Sequence, residues 1–184
     1  LIGSGTFGKC YLGLFGAQKV ISKEYKSNRE LERESRVIVT LRHQNLPVMV
    51  GVINNPPQLI LSYHGENLQK AVKSQSIGSV FLPNYRDIFI GVLSALEYLH
   101  DENILHNDIK PNNICVQLVE MHYIGVLIDF GKSAPIKNAK MYTMPISEQN
   151  GYRIRYPHIA PELIDGKVSQ SVYTDVYGIG YTLK

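Results

Sequence analysis

Three polar side chains in the stretch LHNDIKPNNICV, residues 105–116, have types and a spacing that suit chemistry on phosphate groups. Asp108 offers a carboxylate, Lys110 an ammonium and Asn113 a carboxamide, and apolar runs flank them on both sides. At this spacing the carboxylate could accept a hydroxyl proton while the carboxamide holds a magnesium ion that bridges phosphates. By themselves Asp108 and Asn113 could equally cap turns, so the interpretation depends on what else the chain contains.

Two further motifs follow in the order that this chemistry requires. The apolar run VLIDFG ends in Asp129, whose carboxylate would supply a second hard oxygen ligand to the same metal ion. Farther along stands the tripeptide Ala-Pro-Glu at residues 160–162. Motifs in this order are very improbable as an accident, and we therefore interpret Asp108, Asn113 and Asp129 as parts of one site.

The chain also carries a glycine-rich stretch, GSGTFG, at residues 3–8. A GxGxxG pattern alone is a weak indication of a nucleotide site, because glycines often serve only turns. A dinucleotide-binding fold would need a helix directly after it, whereas the following KCYLGLF is typical of a strand. The glycines are therefore expected in a hairpin whose backbone amides close over phosphate oxygens, as a lid over a mononucleotide.

Composition and charge exclude several classes of protein. The chain has 184 residues, 44% hydrophobic and 19% charged, with a formal net charge of +3, which is ordinary globular composition. Basic and acidic residues are interspersed, so no nucleic-acid partner is indicated. No apolar run approaches the roughly 18 residues that span a bilayer, so no membrane contact is expected in this segment. Cys10 and Cys115 have neither metal-ligand nor disulfide spacing, which favours a cytoplasmic location.

The pattern of apolar residues changes character along the chain. Before residue 64 short apolar runs alternate with turn residues, and the expected strands surround one helix, SNRELERESRVIVTLRH. From residue 83 apolar residues recur at helical spacing, as in Ile88, Val92, Leu96 and Leu99. We predict a strand-rich domain over residues 1–63 and a larger, mainly helical domain over residues 64–184, joined by a hinge in SYHGEN. The sequence opens inside the glycine motif and without Met, so a fragment is expected.

With these motifs the chain resembles the eukaryotic protein kinase family over essentially its whole length. The resemblance implies an α+β, bilobal fold with a strand-rich N-lobe and a mainly helical C-lobe, truncated after the helix that carries Asp175. It implies ATP and Mg2+ as cofactors, a protein hydroxyl as acceptor and regulatory partner domains outside this segment. Lys110 followed by Pro111 resembles the serine/threonine branch, whereas Arg155, in place of a usual threonine, and Pro157 depart from it.

The resemblance also implies a role for each polar motif. Asp108 and Lys110 would be catalytic, and Asn113 and Asp129 would hold the metal ion. A lysine on the third strand would pair with Glu34, which stands near the end of a kinase-like helix, whereas Glu30 and Glu32 are expected to be surface charges. Two lysines compete for this pairing: Lys23 is favoured because it fits a hairpin turning around Phe15 and Gly16, and Lys19 is the alternative.

The nucleotide site implied by the resemblance extends over both predicted domains. Leu61 would be the gatekeeper, the backbone near Ser62 would meet the adenine edge, and Cys10 and Cys115 would lie above and below the ring. Ile21 falls where the family usually has alanine, and its branched side chain would crowd the adenine. The expected contacts are Ile2, Gly3, Ser4, Gly5, Thr6, Phe7, Gly8, Cys10, Ile21, Lys23, Leu61, Ser62, Tyr63, His64 and Cys115. A regulatory stack is expected at Ile38, Met49, His106 and Phe130.

Two departures concern regulation and stability. Kinases that are switched on by loop phosphorylation usually have arginine where this chain has Asn107, so regulation by partners or flanking segments is expected. The basic residues of the activation segment, residues 132–159, are expected to be poorly placed to anchor a phosphate to the catalytic loop, residues 106–113. Glu162 would lack its usual arginine partner, and if buried it would destabilise the chain by about 3–5 kcal/mol.

Three functions are compatible with these residues. An active protein kinase is favoured because every catalytic group is present. A pseudokinase or ATP-binding interaction scaffold is the alternative, since such a protein keeps the fold without turnover. A small-molecule kinase is a distant third, because those enzymes lack the Ala-Pro-Glu anchor.

Overall fold

The computed structural model describes residues 1–5, 8–74 and 82–184, and Thr6 and Phe7, both expected at the nucleotide site, lie outside the described residues. An antiparallel five-stranded sheet forms the first part of the chain, with strand order β1-β2-β3-β5-β4. Its strands are β1 (Gly3–Gly5), β2 (Gly8–Phe15), β3 (Gln18–Glu24), β4 (Met49–Asn54) and β5 (Pro57–Ser62). The strand-rich character predicted for this part is confirmed.

The hairpin between β2 and β3 fixes which residues of the two strands face each other. Phe15 pairs with Gln18, so residues 16–17 make a two-residue turn, one residue later than the predicted turn around Phe15 and Gly16. Gly16 has φ 59, a conformation that glycine adopts without the steric cost other residues incur. The same register places Cys10 opposite Lys23.

Helix α1 (Asn28–Ile38) packs on this sheet and begins at a side-chain cap. The Ser27 side chain accepts a hydrogen bond from the Glu30 N–H at 3.4 Å. Leu31, Glu34 and Ile38 recur at helical spacing and are buried. The predicted helix ran on to residue 43, which is wrong, because the β-branched run over residues 37–40 has low helix propensity.

The second part of the chain is built around helix α3 (Leu82–Asp101), and Ile88, Val92, Leu96 and Leu99 are buried as predicted. A small sheet, with strand order β6-β8-β9, packs against it. The remaining strands are β6 (Glu66–Asn67), β7 (Ile104–Leu105), β8 (Ile114–Val119), β9 (His122–Leu127) and β10 (Ala134–Pro135). The remaining helices are α2 (Leu68–Lys73), α4 (Ile146–Arg155), α5 (Pro161–Ile164) and α6 (Val172–Leu183), with 3-10 turns at Pro111–Asn113 and Ile136–Asn138.

One hydrophobic core joins the two parts. It contains Leu31 and Ile38 of α1, Leu59 of β5, Val92 of α3 and Phe130. The α+β, bilobal fold class is confirmed, and the boundary between residues 63 and 64 stays a prediction. Among the helices of the described residues, none has both the length and the apolar character that crossing a membrane requires.

Candidate active site

The first charged cluster of the site forms around one buried lysine. Lys23 on β3 places its Nζ 2.7 Å from Glu34 Oε2 and 2.7 Å from Asp129 Oδ1. Only 9% of the Lys23 side chain and 1% of the Glu34 side chain are exposed. Lys19 is exposed instead, with its Nζ 5.8 Å from the centre of the Tyr63 ring. The structure therefore pairs Glu34 with Lys23 and leaves Lys19 at the surface.

Electrostatics keep this cluster ionised. Burial lowers the pKa of Lys23, but the neighbouring Asp129 and Glu34 carboxylates outweigh it, and the net result is a raised pKa. Burial raises the pKa of Asp129, and the Lys23 ammonium reverses this, so that the net pKa is lowered. Lys23 and Asp129 are therefore charged at neutral pH.

Glu32, expected as a surface charge, is exposed and pairs with Arg36 at 3.1 Å. Glu30 is half-buried and accepts a hydrogen bond from the Lys26 N–H at 3.2 Å.

The catalytic loop is held by a carboxylate from another element. Asp175 on α6 accepts hydrogen bonds from the backbone N–H of His106 and of Asn107, both at 2.8 Å. His100 Nε2 lies 3.0 Å from the same carboxylate. Asn107 has φ 65, a left-handed conformation in which asparagine is several-fold enriched. The backbone conformation therefore favours asparagine at this position, in addition to the side-chain contact described below.

Asp108 is the centre of the second charged cluster and is surrounded by hydrogen-bond donors. Its Oδ2 lies 2.7 Å from Lys110 Nζ and 3.0 Å from Asn113 Nδ2. Its Oδ1 lies 2.8 Å from Lys132 Nζ and 3.3 Å from His158 Nε2. The Asp108 side chain is 3% exposed, so these donors replace the water that an isolated carboxylate would need.

The donors decide the ionisation of Asp108. Burial raises the pKa of this carboxyl, but hydrogen bonds from His158, Lys110 and Lys132 and the charge of Lys132 outweigh it, and the pKa is held well below its usual range. Asp108 is therefore ionised at neutral pH, as a group that accepts a proton must be before reaction.

Two of these contacts were not foreseen from the sequence. Lys132 directly follows the Asp-Phe-Gly motif, and its ammonium contacts Asp108 of the catalytic loop. The expectation that the basic residues of the segment are poorly placed to anchor a phosphate to this loop stays a prediction. His158 directly precedes the IAPE stretch and was not singled out. Both residues adjoin recognisable motifs, which is the only sequence feature that could have drawn attention to them.

The candidate metal ligands fit a magnesium ion bound together with phosphates. Asn113 directs its carboxamide nitrogen to the Asp108 backbone oxygen at 2.8 Å, so its oxygen, the atom that can bind a cation, points the other way. Asp129 contacts Lys23 through Oδ1 and is 28% exposed. No cluster of three or more His, Cys, Asp or Glu side chains suited to a metal occurs in the described ranges. Magnesium is commonly held by one or two protein oxygens plus substrate phosphates, which is the arrangement these two residues could provide.

The glycine-rich stretch forms β1 and the start of β2, and Lys70 Nζ of α2 donates to the Ile2 carbonyl at 2.8 Å. A side chain at Gly8 would overlap the Glu24 carbonyl oxygen, so this glycine is required by the close approach of β2 to β3. Gly3 has open space around it. Gly8 therefore has a structural role, and Gly3 has space available beside it.

The residues expected around the adenine occupy β2, β3, β5 and β8. Leu61 is buried opposite Ile21, which itself packs against the core. The backbone N–H of Ser62 donates to Val48 O at 2.9 Å, and that of Tyr63 donates to Lys19 O at 3.4 Å. Those two N–H groups therefore have protein partners, and binding of an adenine edge by either would require the exchange of that partner.

Both cysteines are shielded from solvent. Burial raises the pKa of Cys10, and burial, with a contribution from Cys10, raises the pKa of Cys115 to about 12. Cys10 lies on β2 opposite Lys23, and Cys115 is buried on β8. The expectation that the two thiols border the same space stays a prediction.

The proposed regulatory stack is partly visible as direct contacts. His106 and Phe130 are fully buried and meet edge to face, with ring centres 5.3 Å apart. Ile38 and Met49 belong to the same core. Ser133 is also buried, and its hydroxyl donates to the His106 carbonyl at 3.3 Å. A regulatory role for the stack stays a prediction.

Glu162, whose missing arginine was expected to destabilise the chain if the carboxylate were buried, is exposed. Water therefore solvates this carboxylate, and the expected penalty does not arise. Nearby, Asp165 forms ion pairs with Arg153 and with Lys167 instead.

Comparison with known proteins gives the family. The protein kinase domain family matches residues 1–184, the whole chain. The chain belongs to the protein kinase family. Its relatives include a probable LRR receptor-like serine/threonine-protein kinase, RPK1, from Arabidopsis thaliana, 28% identical over 99% of this chain and 34% of the relative.

Two other relatives of this kinase domain come from distant organisms. The serine/threonine-protein kinase mos of Patiria pectinifera is 28% identical over 100% of this chain and 54% of its own length. The carbon catabolite-derepressing protein kinase of Saccharomyces cerevisiae is 28% identical over 99% of this chain and 29% of its own length. The chain thus spans between about a third and about half of the length of these three relatives. The family in general uses ATP and Mg2+.

Proposed function

We propose that this kinase domain transfers the γ-phosphate of ATP to a protein hydroxyl, with serine or threonine as the acceptor. The observation that carries the proposal is the presence of both charged clusters in one site. Lys23 is paired with Glu34 and Asp129, while Asp108 is paired with Lys110. These are the two parts that kinase chemistry needs, one to position the nucleotide and one to receive the acceptor.

Each residue has one role in this proposal. Lys23, held by Glu34, binds the α- and β-phosphates, and Asn113 and Asp129 hold Mg2+ beside them. A bound Mg2+ ion neutralises phosphate charge. Asp108 orients the acceptor hydroxyl and takes its proton, and Lys110 stabilises the negative charge that develops on the transferred phosphoryl group.

Positioning is the main contribution of the protein to this reaction. The phosphoryl group passes through a loose transition state, so the two oxygens that it moves between must be held in line. The Asp175 carboxylate fixes the backbone of the catalytic loop through two hydrogen bonds of 2.8 Å. Such preorganised geometry can lower a reaction barrier by about 7–11 kcal/mol.

The preference for serine or threonine rests on two observations. Lys110, the residue that resembles the serine/threonine branch, lies 2.7 Å from Asp108 Oδ2, where it can also reach a phosphoryl oxygen. The relatives named above are described as serine/threonine kinases in two of the three cases. His158 adds a contact to Asp108 from the activation segment, three residues after Arg155, which stands where the family usually has a threonine.

The test is a transfer assay on a complete kinase domain that contains this chain. Purified protein is incubated with γ-labelled ATP and a generic basic protein, with Mg2+ and with excess EDTA, and the labelled amino acid is identified after hydrolysis. We expect Mg2+-dependent label on serine or threonine. Label on tyrosine would reject the acceptor assignment, and nucleotide binding without transfer would support the pseudokinase alternative.

A further inference from the structure

Lys132 contacts the catalytic loop through both its backbone and its side chain. Asn107 Nδ2 donates to the Lys132 carbonyl oxygen at 3.2 Å. The Lys132 ammonium lies 2.8 Å from Asp108 Oδ1. A single residue at the start of the activation segment thus contacts two consecutive residues of the catalytic loop.

The residues that follow Lys132 continue this attachment. Strand β10 (Ala134–Pro135) pairs with β7 (Ile104–Leu105), which leads into the catalytic loop. The backbone N–H of Ile136 donates to the Asn103 carbonyl at 2.8 Å. The segment 132–136 is therefore joined to residues 103–108 by side-chain and backbone contacts.

Asn107 takes part in this arrangement through both its backbone and its side chain. Its left-handed backbone conformation, with φ 65, is one that asparagine tolerates. Its short carboxamide reaches the Lys132 carbonyl, whereas an arginine fork serves to grip a phosphate on the loop. The positive charge that an arginine would bring to this region is instead supplied by Lys132.

The distances indicate which hydrogen-bond donor of Asp108 an acceptor hydroxyl would displace. A carboxylate has about four lone-pair positions, and Lys110, Asn113, Lys132 and His158 occupy them. An acceptor hydroxyl must displace one donor. The 3.3 Å contact to His158 is the longest, whereas the 2.8 Å contact to Lys132 is short and charge-assisted. The hydroxyl therefore replaces His158, and Lys132 stays in place.

We propose that Lys132 is a positioning residue that orients Asp108 and attaches the activation segment to the catalytic loop without phosphorylation. This role rests on the proposed kinase function, since it acts through Asp108. It assigns to Lys132 and Asn107 together the ordering task that a loop phosphate and an arginine perform in other kinases.

The first test measures kinetics of a dephosphorylated complete domain. Lys132→Met is compared with Lys132→Arg, which keeps the charge, and with Lys137→Met, which removes an exposed charge from the same segment. We expect Lys132→Met to lower kcat by roughly 10- to 100-fold with KM for ATP unchanged, because only the acceptor side loses its geometry. Lys132→Arg should restore most of the activity, and Lys137→Met should resemble the wild type. An unchanged or increased kcat in Lys132→Met would overturn the proposal.

The second test does not depend on turnover. Amide hydrogen exchange is followed at Ile136 in the nucleotide-free wild type, Lys132→Met and Lys137→Met. Faster exchange in Lys132→Met alone supports the attachment, even if the wild type shows no phosphate transfer and the proposed function fails. Equal exchange in all three proteins would overturn the attachment, even if the wild type is an active kinase.

Discussion

Two clusters of ionised side chains lie next to each other in this kinase domain. Carboxylates outnumber ammonium groups in the first cluster, and ammonium groups outnumber carboxylates in the second. In the Lys23 cluster one ammonium lies between the carboxylates of Glu34 and Asp129. In the Asp108 cluster one carboxylate lies between the ammonium groups of Lys110 and Lys132. Surplus negative charge suits a divalent cation, and surplus positive charge suits a phosphoryl group. The difference suggests a division of labour between metal-bound nucleotide and acceptor.

The clusters also differ in how much the fold depends on them. Lys23 and Glu34 are both almost fully buried, so loss of one leaves the other as an unpaired charge in the interior. In the Asp108 cluster the lysine side chains are 28% and 34% exposed, and water screens them. Changes in the first cluster should therefore affect stability and activity together, and changes at the lysines of the second should affect mainly activity.

The largest effect is expected from Lys23. Lys23→Met should reduce transfer below detection, because it removes the phosphate-binding ammonium and leaves Glu34 buried without its cation. The free energy of unfolding should fall by about 3–5 kcal/mol. Transfer assays and urea denaturation provide the measurements, and Lys19→Met, which changes an exposed lysine on the same strand, is the control. If Lys23→Met left transfer unchanged and Lys19→Met abolished it, the assignment of the two lysines would be reversed.

A smaller but still large effect is expected from Asp108. Asp108→Asn should lower kcat by about 10² to 10⁴ while KM for ATP stays nearly unchanged, because the carboxamide cannot take the hydroxyl proton. Steady-state kinetics at varied ATP measure both constants. Asp87→Asn, which alters a surface carboxylate paired with Arg86, should leave both unchanged. Unaltered turnover in Asp108→Asn would remove this residue from the mechanism.

The two cysteines test whether the space beside the Lys23 cluster is a nucleotide cleft. If only the nucleotide-free form reacts, MgATP at ten times its Kd should slow alkylation roughly tenfold. Cys10, which is only half-buried, should react before Cys115, whose raised pKa leaves little thiolate. Mass spectrometry of the wild type and of Cys10→Ser assigns each alkylation rate to one of the two cysteines. Identical rates with and without MgATP would contradict the placement of both thiols.

The smallest effect is expected from phosphatase treatment. If Lys132 and Asn107 attach the activation segment, removal of phosphate should change activity less than about twofold. Ser133, one of the candidate acceptors in the segment, is buried and unsuited to modification. Activity is compared before and after dephosphorylation, with mass spectrometry confirming that the 28 residues between Gly131 and Ala160 carry no phosphate. A large loss of activity would mean that a loop phosphate is required after all.

The sequence predicted the Lys23 cluster better than the Asp108 cluster, and the reason is physical. Lys23, Glu34 and Asp129 each belong to a recognisable motif, and the hairpin register that selects Lys23 follows from a local turn. The contacts of Lys132 and His158 with Asp108 join residues 24 and 50 positions apart, respectively. They depend on the path of the activation segment, which no local pattern of residues specifies.

Two further differences between the prediction and the structure concern the end of helix α1 and the hairpin of β8 and β9. Helix α1 ends at Ile38 because β-branched residues follow, although the apolar pattern continues. Strands β8 and β9 lie within the mainly helical part and join through residues 120–121, which both have positive φ as a two-residue hairpin turn requires. Neither Glu120 nor Met121 is a typical residue for that turn, so the hairpin was not predictable from turn chemistry.

The division of labour between the clusters is tested most directly by titrating MgATP into Asp129→Asn and Asp108→Asn and measuring Kd by calorimetry beside kcat. Asp129→Asn should weaken MgATP binding and also abolish transfer, because it removes the proposed metal ligand and a partner of Lys23. Asp108→Asn should bind MgATP as the wild type does and lose only turnover. Equal weakening of MgATP binding in both variants would contradict the account, because the two clusters would then act as a single nucleotide site.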